Sequence, residues 1–124
     1  MDSTLDIVRR YQDAWTSGDF ETAAELVADD IVFRSPQQHI EGATDFLTML
    51  RGFATRVARR WQLVSATQAD EDVLILYHLF SDDGAALPCA DNFRVRDGRI
   101  VSETLVFDGD AFAAAANKGR PSTS

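Results

Sequence analysis

Cysteine is almost missing from the sequence: Cys89 stands alone. An internal disulfide and a cysteine-based zinc cluster are thereby excluded, and a reducing cytoplasm is the expected location. Histidine is nearly as scarce. His39 and His78 lie far apart with no ligand spacing, so neither a metal ion nor a cofactor is expected. No apolar run is long enough to cross a membrane, and the opening MDSTLDIVRR lacks the hydrophobic stretch of a secretory signal. Positive charge is in deficit: 12 Lys and Arg face 20 Asp and Glu, for a net charge of −8. That balance argues against nucleic acid or an anionic membrane as a partner. One basic cluster, Arg51, Arg56, Arg59 and Arg60, runs against the trend and reads as a solvated helix face.

What is present is an ordinary globular composition, 45% hydrophobic and 26% charged. The 124 residues fit one domain, expected over 1–116 with a flexible tail at 117–124. Folding at this size buries roughly two-thirds of the chain's surface. Apolar positions at helical spacing predict a helix over 3–16, with Leu5, Val8, Tyr11 or Gln12, and Trp15 inward, Ser3 or Thr4 as its cap and Ser17-Gly18-Asp19 as its stop. Asp19 caps a second helix with Phe20, Ala23, Ala24, Leu26 and Val27 as its inner stripe, closed by Asp29-Asp30. A strand starts at Ile31-Val32-Phe33, and SPQQHIEGA follows as a loop broken by Pro36 and Gly42. A third helix is expected from Thr44 to Ala58, with Phe46, Met49, Leu50, Phe53 and Val57 inward.

From Trp61 the apolar period changes to two. Strands are expected over 61–68 and 73–80, around the turn Ala69-Asp70-Glu71-Asp72. A hairpin over 88–108 turns at Arg96-Asp97-Gly98-Arg99, and DGDAFAAAAN closes the chain as a short helix. Helices grouped ahead of strands give an α+β fold. The strand at 73–80 is apolar on both phases. Its sheet therefore has to be covered by helices on one face and by a second copy on the other, so a homodimer is expected.

The hairpin poses a chemical question. Side chains alternate along a strand, which puts Asp91 in phase with Cys89, Phe93 and Val95, and Glu103 in phase with Leu105 and Phe107. Two carboxylates on an apolar face need partners or a task. Asp91 reads either as a functional acid or as a buried carboxyl bonded to Tyr11. Glu103 reads either as a site residue or as the partner of Arg34 or Arg94.

The layout, with YQDAWTSGDFETAAELVADDIVF, IEGATDFL and NFRVRDGRIVSETLVFD, resembles the nuclear transport factor 2-like superfamily. Within it the chain is most similar to the SnoaL-like polyketide cyclases and the ketosteroid isomerases, over roughly residues 4 to 112. The resemblance implies a cone-shaped fold: about three N-terminal helices packed on a curved, mostly antiparallel sheet enclosing a pocket, often in a dimer. It also implies an oxyanion hole made of Tyr11, seven residues before Gly18, and of Asp91 in CADNFRV. The isomerase base falls on Ser35 of RSPQ, and a serine without a partner base cannot move a proton. Aligned on LFSDDG, His78 takes a pocket-facing phase with Leu76 and Phe80 and is the expected replacement base, helped by Glu103. A core histidine is the alternative for His78, an exposed one for His39.

Tyr11, Asp91, His78 and Glu103 are thus the candidate catalytic residues. Trp15, Phe33, Ser35, Met49, Phe53, Leu76, Phe80, Cys89, Leu105 and Phe107 are the candidate pocket lining, with Trp61 as support, suited to a flat hydrophobic ligand. Three functions remain open. The first is a cofactor-independent isomerase or cyclase working by acid/base chemistry on a small hydrophobic carbonyl compound, such as a polyketide intermediate. The second is a non-catalytic small-molecule-binding or accessory protein. The third is an epoxide hydrolase, against which stands Leu105, where that family carries an aspartate.

Overall fold

The computed structural model describes residues 3–57 and 60–118. Helix α1, Thr4–Thr16, opens on a reciprocal cap: the Ser3 hydroxyl accepts from the Asp6 amide, and the Asp6 carboxylate accepts from the Ser3 amide. Its buried stripe is Ile7, Val8, Tyr11, Gln12, Ala14 and Trp15. Helix α2, Phe20–Glu25, is capped by the Asp19 carboxylate. It is shorter than its apolar stripe suggests. Leu26 closes it, and Val27 already belongs to strand β1, Val27–Arg34.

The cause is pairing across the sheet. Val27 sits opposite Ile100, whose amide donates to the Leu26 carbonyl, and a register shift between Val27 and Val32 leaves Asp29 and Asp30 in solvent. The loop expected after β1 holds a short strand, β2, His39–Glu41, antiparallel to β1. Helix α3, Ala43–Val57, follows Gly42 and buries Phe46, Leu50 and Ala54.

Strands β3 (Arg60–Ala69), β4 (Asp72–Phe80), β5 (Ala86–Arg96) and β6 (Arg99–Phe107) form the meander. The β5–β6 turn has positive φ at both Asp97 and Gly98, the geometry that an Asp-Gly pair adopts most readily in a two-residue hairpin. Helix α4, Gly109–Lys118, closes the described chain. It takes in Asn117 and Lys118 from the expected tail, whose remainder lies outside the described residues, as do Ala58 and Arg59. Of the basic cluster, Arg51 lies over the Phe20 ring and Arg60 over the Phe80 ring, at 5.5 and 3.9 Å from the ring centres.

The six strands make one curved sheet in the order β2-β1-β6-β5-β4-β3, antiparallel throughout except for the parallel β1–β6 pair. The fold is α+β, with α1 and α3 packed on one face of the sheet. That face carries Val73, Ile75, Tyr77 and Leu79 from β4, and Cys89, Asp91, Phe93 and Val95 from β5, all buried. The opposite face of β4 leaves Leu74 and Leu76 about half exposed, at 51% and 46%. Leu76 is in register with Ala90 and, through it, with Val106. No helix among the described residues is long and apolar enough to cross a membrane.

Phe93 is fully buried and meets Tyr11 edge-on at 5.8 Å between ring centres. Phe93→Ala is expected to destabilise the fold by about 3–5 kcal/mol, the range for losing a core aromatic ring. The exposed apolar residue Val64, replaced by Ser, is expected to change stability by no more than about 0.5 kcal/mol. Urea unfolding of the two variants against wild type checks both.

Candidate active site

Between the inner sheet face and helices α1, α3 and α4 lies a cavity of about 400 Å³. Rings make most of its wall: Tyr11 and Trp15 from α1, Phe33 from β1, Phe46 and Phe53 from α3, Phe107 at the end of β6 and Phe112 from α4. Met49, Leu50, Leu79 and Leu105 fill the gaps between them. The rings support one another, Phe107 against Phe112 at 4.6 Å and Phe33 against Phe46 at 5.6 Å. Gln12 is fully buried within α1 and accepts the Trp15 indole N–H at 2.8 Å, which fixes that ring's orientation.

Sheet register brings the polar groups together. Asp91 stands opposite Ile75 on one side and Leu105 on the other. Tyr77 and Glu103 are therefore its diagonal neighbours on the same face, within reach of long side chains. The Tyr77 hydroxyl donates to Asp91 Oδ2 at 3.0 Å. The Asp91 and Glu103 carboxyls lie within hydrogen-bonding reach of each other. On the far side of Glu103, the Tyr11 hydroxyl donates to Oε1 at 3.4 Å. A chain Tyr77–Asp91–Glu103–Tyr11 thus crosses three strands and ends on α1.

Two carboxylates cannot both stay charged at this separation in an apolar interior. Burial pushes Asp91 well above the usual carboxylate range, and the charge of Glu103 pushes it further. Burial also raises Glu103, but the hydrogen bonds from Asp91 and Tyr11 pull it back down. Asp91 Oδ1 is buried without a hydrogen-bond partner among the described residues, and a proton shared between the two neighbouring carboxyls would supply one. Both carboxyls are thus held above their ordinary range, Asp91 the further of the two, so the pair favours keeping a proton and Asp91 is the group that favours it more. Burial raises both tyrosines far above their ordinary value, which keeps them donors. It also pushes the Cys89 thiol up to about 12, so this buried cysteine is no nucleophile.

Several expected residues meet at the cavity: Tyr11, Glu103, Trp15, Phe33, Ser35, Met49, Phe53, Leu105 and Phe107 all line it. Asp91 and Cys89 are buried on the inner face but are not on the cavity wall. Asp91 meets the cavity only through the wall residues Glu103 and Tyr77, so it does not stand beside Tyr11 as an oxyanion donor. His78, Leu76 and Phe80 require a correction. Strand alternation puts them on the outer face, since Tyr77 and Leu79 are the β4 residues on the cavity wall. His78 is half-buried there with Phe80, 6.3 Å between ring centres, and cannot act as the cavity's base.

Ser35 is occupied by the backbone: its hydroxyl oxygen accepts from the amides of Gln37 and Gln38. It shapes the loop rather than moving a proton. His39 is exposed, 3.5 Å from Glu41. Arg94 forks onto Asp72 and is not the partner of Glu103. Trp61 donates to Asp13 and meets Tyr77 edge-on, behind the wall. Tyr77, Phe46, Leu50, Leu79, Gln37, Gln38 and Phe112 were not among the expected site residues. For Tyr77 and Leu79 the sequence carried no signal, since β4 is apolar on both phases and its pairing with β5 decides which face looks inward. The others needed the packing of α3, α4 and the loop before β2.

The sequence pattern of the SnoaL-like domain matches residues 8–103. The chain belongs to the SnoaL-like domain family. No curated protein matches this SnoaL-like chain by sequence. Among solved structures it is similar to a protein from Kribbella flavida DSM 17836, at 32% identity over 92% of this chain and 93% of that one, with a TM-score of 0.82. A protein from Shewanella putrefaciens CN-32 described as a SnoaL-like polyketide cyclase is 15% identical over 95% and 88% of the two chains, with a TM-score of 0.76. A protein described as a ketosteroid isomerase, also from Kribbella flavida, is 20% identical over 85% and 77%, with a TM-score of 0.74. At these last identities the likeness concerns the fold, that of the nuclear transport factor 2-like superfamily.

The pH dependence of stability tests the protonated Asp91. Unfolded, Asp91 ionises near 3.8; folded, it ionises well above that. Between the two, the unfolded chain has lost a proton that the folded protein keeps. The stability contribution is therefore full below the unfolded value and is lost as pH rises towards the folded one, at about 1.4 kcal/mol per pH unit. Asp91→Asn carries no such proton, so its stability relative to wild type is expected to climb as pH rises from about 5. Urea unfolding of both proteins at a series of pH values measures this. A constant difference would mean that Asp91 titrates like an exposed carboxyl.

Proposed function

We propose that this SnoaL-like protein is a cofactor-independent enzyme that moves a proton on a small hydrophobic carbonyl compound, such as a polyketide intermediate, with Glu103 as the acid/base group. The observation that carries this reading is that Glu103 is the one carboxylate on the wall of an aromatic cavity, among the described residues. Glu103 takes the proton from a carbon next to the carbonyl, and the C–H electron pair moves onto the carbonyl oxygen as an enolate. Once protonated, Glu103 is a poor acceptor. The Tyr11 hydroxyl then turns its hydrogen bond towards the new oxyanion, following the charge. Return of the proton at another carbon completes an isomerisation, and attack of the enolate on a second carbonyl completes an aldol cyclisation. Asp91 touches no substrate in this scheme; it is a positioning residue that orients and stabilises the Glu103 carboxylate.

The second reading is a non-catalytic binding protein of the same fold. It is favoured by the Tyr11 hydroxyl, whose proton is already given to Glu103 and is therefore not free for a ligand. Epoxide opening ranks third, because Leu105 gives the wall an apolar group where that chemistry needs a carboxylate. The outer sheet face, with Leu74, Leu76 and Val106 exposed, is read as the interface of a homodimer. A single buried cysteine suits a reducing cytoplasm.

Deuterium exchange at the α-carbon of 2-tetralone in D₂O, followed by NMR, tests the first reading. Wild type is expected to exchange it faster than buffer, and Glu103→Gln to lose about 10²–10⁴-fold, the usual range for a general base. Ser35→Ala is expected to leave the rate unchanged. Binding without exchange would promote the second reading. Separately, sedimentation equilibrium is expected to give a dimer for wild type and a monomer for Leu76→Lys.

A further inference from the structure

The cavity wall is asymmetric in charge, and the proton-transfer reading makes no use of this. Among the described residues that line it, Glu103 alone carries a formal charge; no Lys, Arg or His reaches the wall. Glu103 is 5% exposed, the Tyr11 hydroxyl donates to it, and no positively charged side chain lies beside it on the wall. A carboxylate in so dry a place lacks a counter-ion. Much of the remaining wall is aromatic, and the faces of those rings are electron-rich. Three ring pairs are inclined, Trp15 and Phe53 at 48°, Phe33 and Phe46 at 50° and Phe107 and Phe112 at 57°, while Tyr11 and Phe46 and also Phe53 and Phe112 stack nearly parallel.

We propose that the cavity takes a hydrophobic molecule bearing one positive charge, a protonated or quaternary amine, seated against Glu103 with its apolar body among the rings. Such a ligand brings the counter-ion that the wall lacks and gains cation–π contact in a desolvated setting. A neutral molecule of the same shape leaves Glu103 uncompensated. An anion is opposed by Glu103 and by the net charge of −8. The proposal fixes the ligand's charge and so goes beyond the proton-transfer reading. A substrate that satisfies both is a carbonyl compound carrying an amine. Proton transfer from it to Glu103 converts an ion pair into a neutral acid and a zwitterionic enolate, with no net change of charge in the cavity.

The test is calorimetric titration of the full chain with three probes of similar size. They are trimethyl(2-phenylethyl)ammonium, neutral 4-phenylbutan-2-one and anionic 3-phenylpropanoate. Wild type is expected to bind the ammonium about tenfold or more tighter than the ketone and to reject the carboxylate. Glu103→Gln is expected to lose that preference, while Val64→Ser, at an exposed position away from the cavity, keeps it. The comparison among probes on wild type stands even if Glu103→Gln fails to fold. Equal or tighter binding of the ketone, no binding of any probe, or a preference that survives in folded Glu103→Gln would overturn the proposal. Ketone preference together with Glu103-dependent exchange of 2-tetralone would sink the cation proposal and leave the proton-transfer reading standing.

Discussion

Asp91 and Glu103 lie side by side in an apolar interior, and a single proton between them makes that placement tolerable. Without it, two desolvated like charges would repel each other at close range. With it, Asp91 becomes a donor and Glu103 keeps a charge that two hydrogen bonds support. The neighbouring architecture serves this arrangement. The β4–β5–β6 register sets Tyr77, Asp91 and Glu103 on one diagonal, and α1 brings the Tyr11 hydroxyl to its end. A one-residue slip of β5 would send Asp91 to the outer face and leave Glu103 without its partner.

The rest of the cavity is a consequence of helices laid across a curved sheet. Aromatic side chains from α1, α3 and α4 meet over the inner face and leave a space whose one carboxyl, Glu103, is reached by the Tyr11 hydroxyl. Buried polar groups on the wall gain strength from the low dielectric around them and are costly if left unpaired. The buried hydrogen-bond chain therefore does two things at once: it stabilises the fold and sets the protonation state of the group that faces a ligand.

Much of the architecture was legible residue by residue. Ser17-Gly18-Asp19 ends α1, Asp19 caps α2, and Asp97-Gly98 sets the last hairpin, because each acts through local geometry. The inward phase of Asp91 and Glu103 was legible too, since their strands alternate cleanly. What failed has physical causes. β4 is apolar on both phases, so nothing local says whether His78 or Tyr77 faces the helices; the pairing of Ile75 with Asp91 decides it. Leu26 and Val27 fit a helical stripe, yet Val27 pairs with Ile100 instead, and sheet hydrogen bonding outweighs a weak helical preference.

The sequence by itself determined an α+β domain, the ends of its best-capped helix, the hairpin turn, and the presence of two carboxyls and a tyrosine on inward-facing positions. These follow from periodicity and capping, which act over a few residues. Only the tertiary structure decided which carboxyl reaches the cavity, which one holds the proton, and that His78 lies outside. Those outcomes depend on strand register and on burial, and both are set by residues distant in the chain that become neighbours only when the sheet closes around its core.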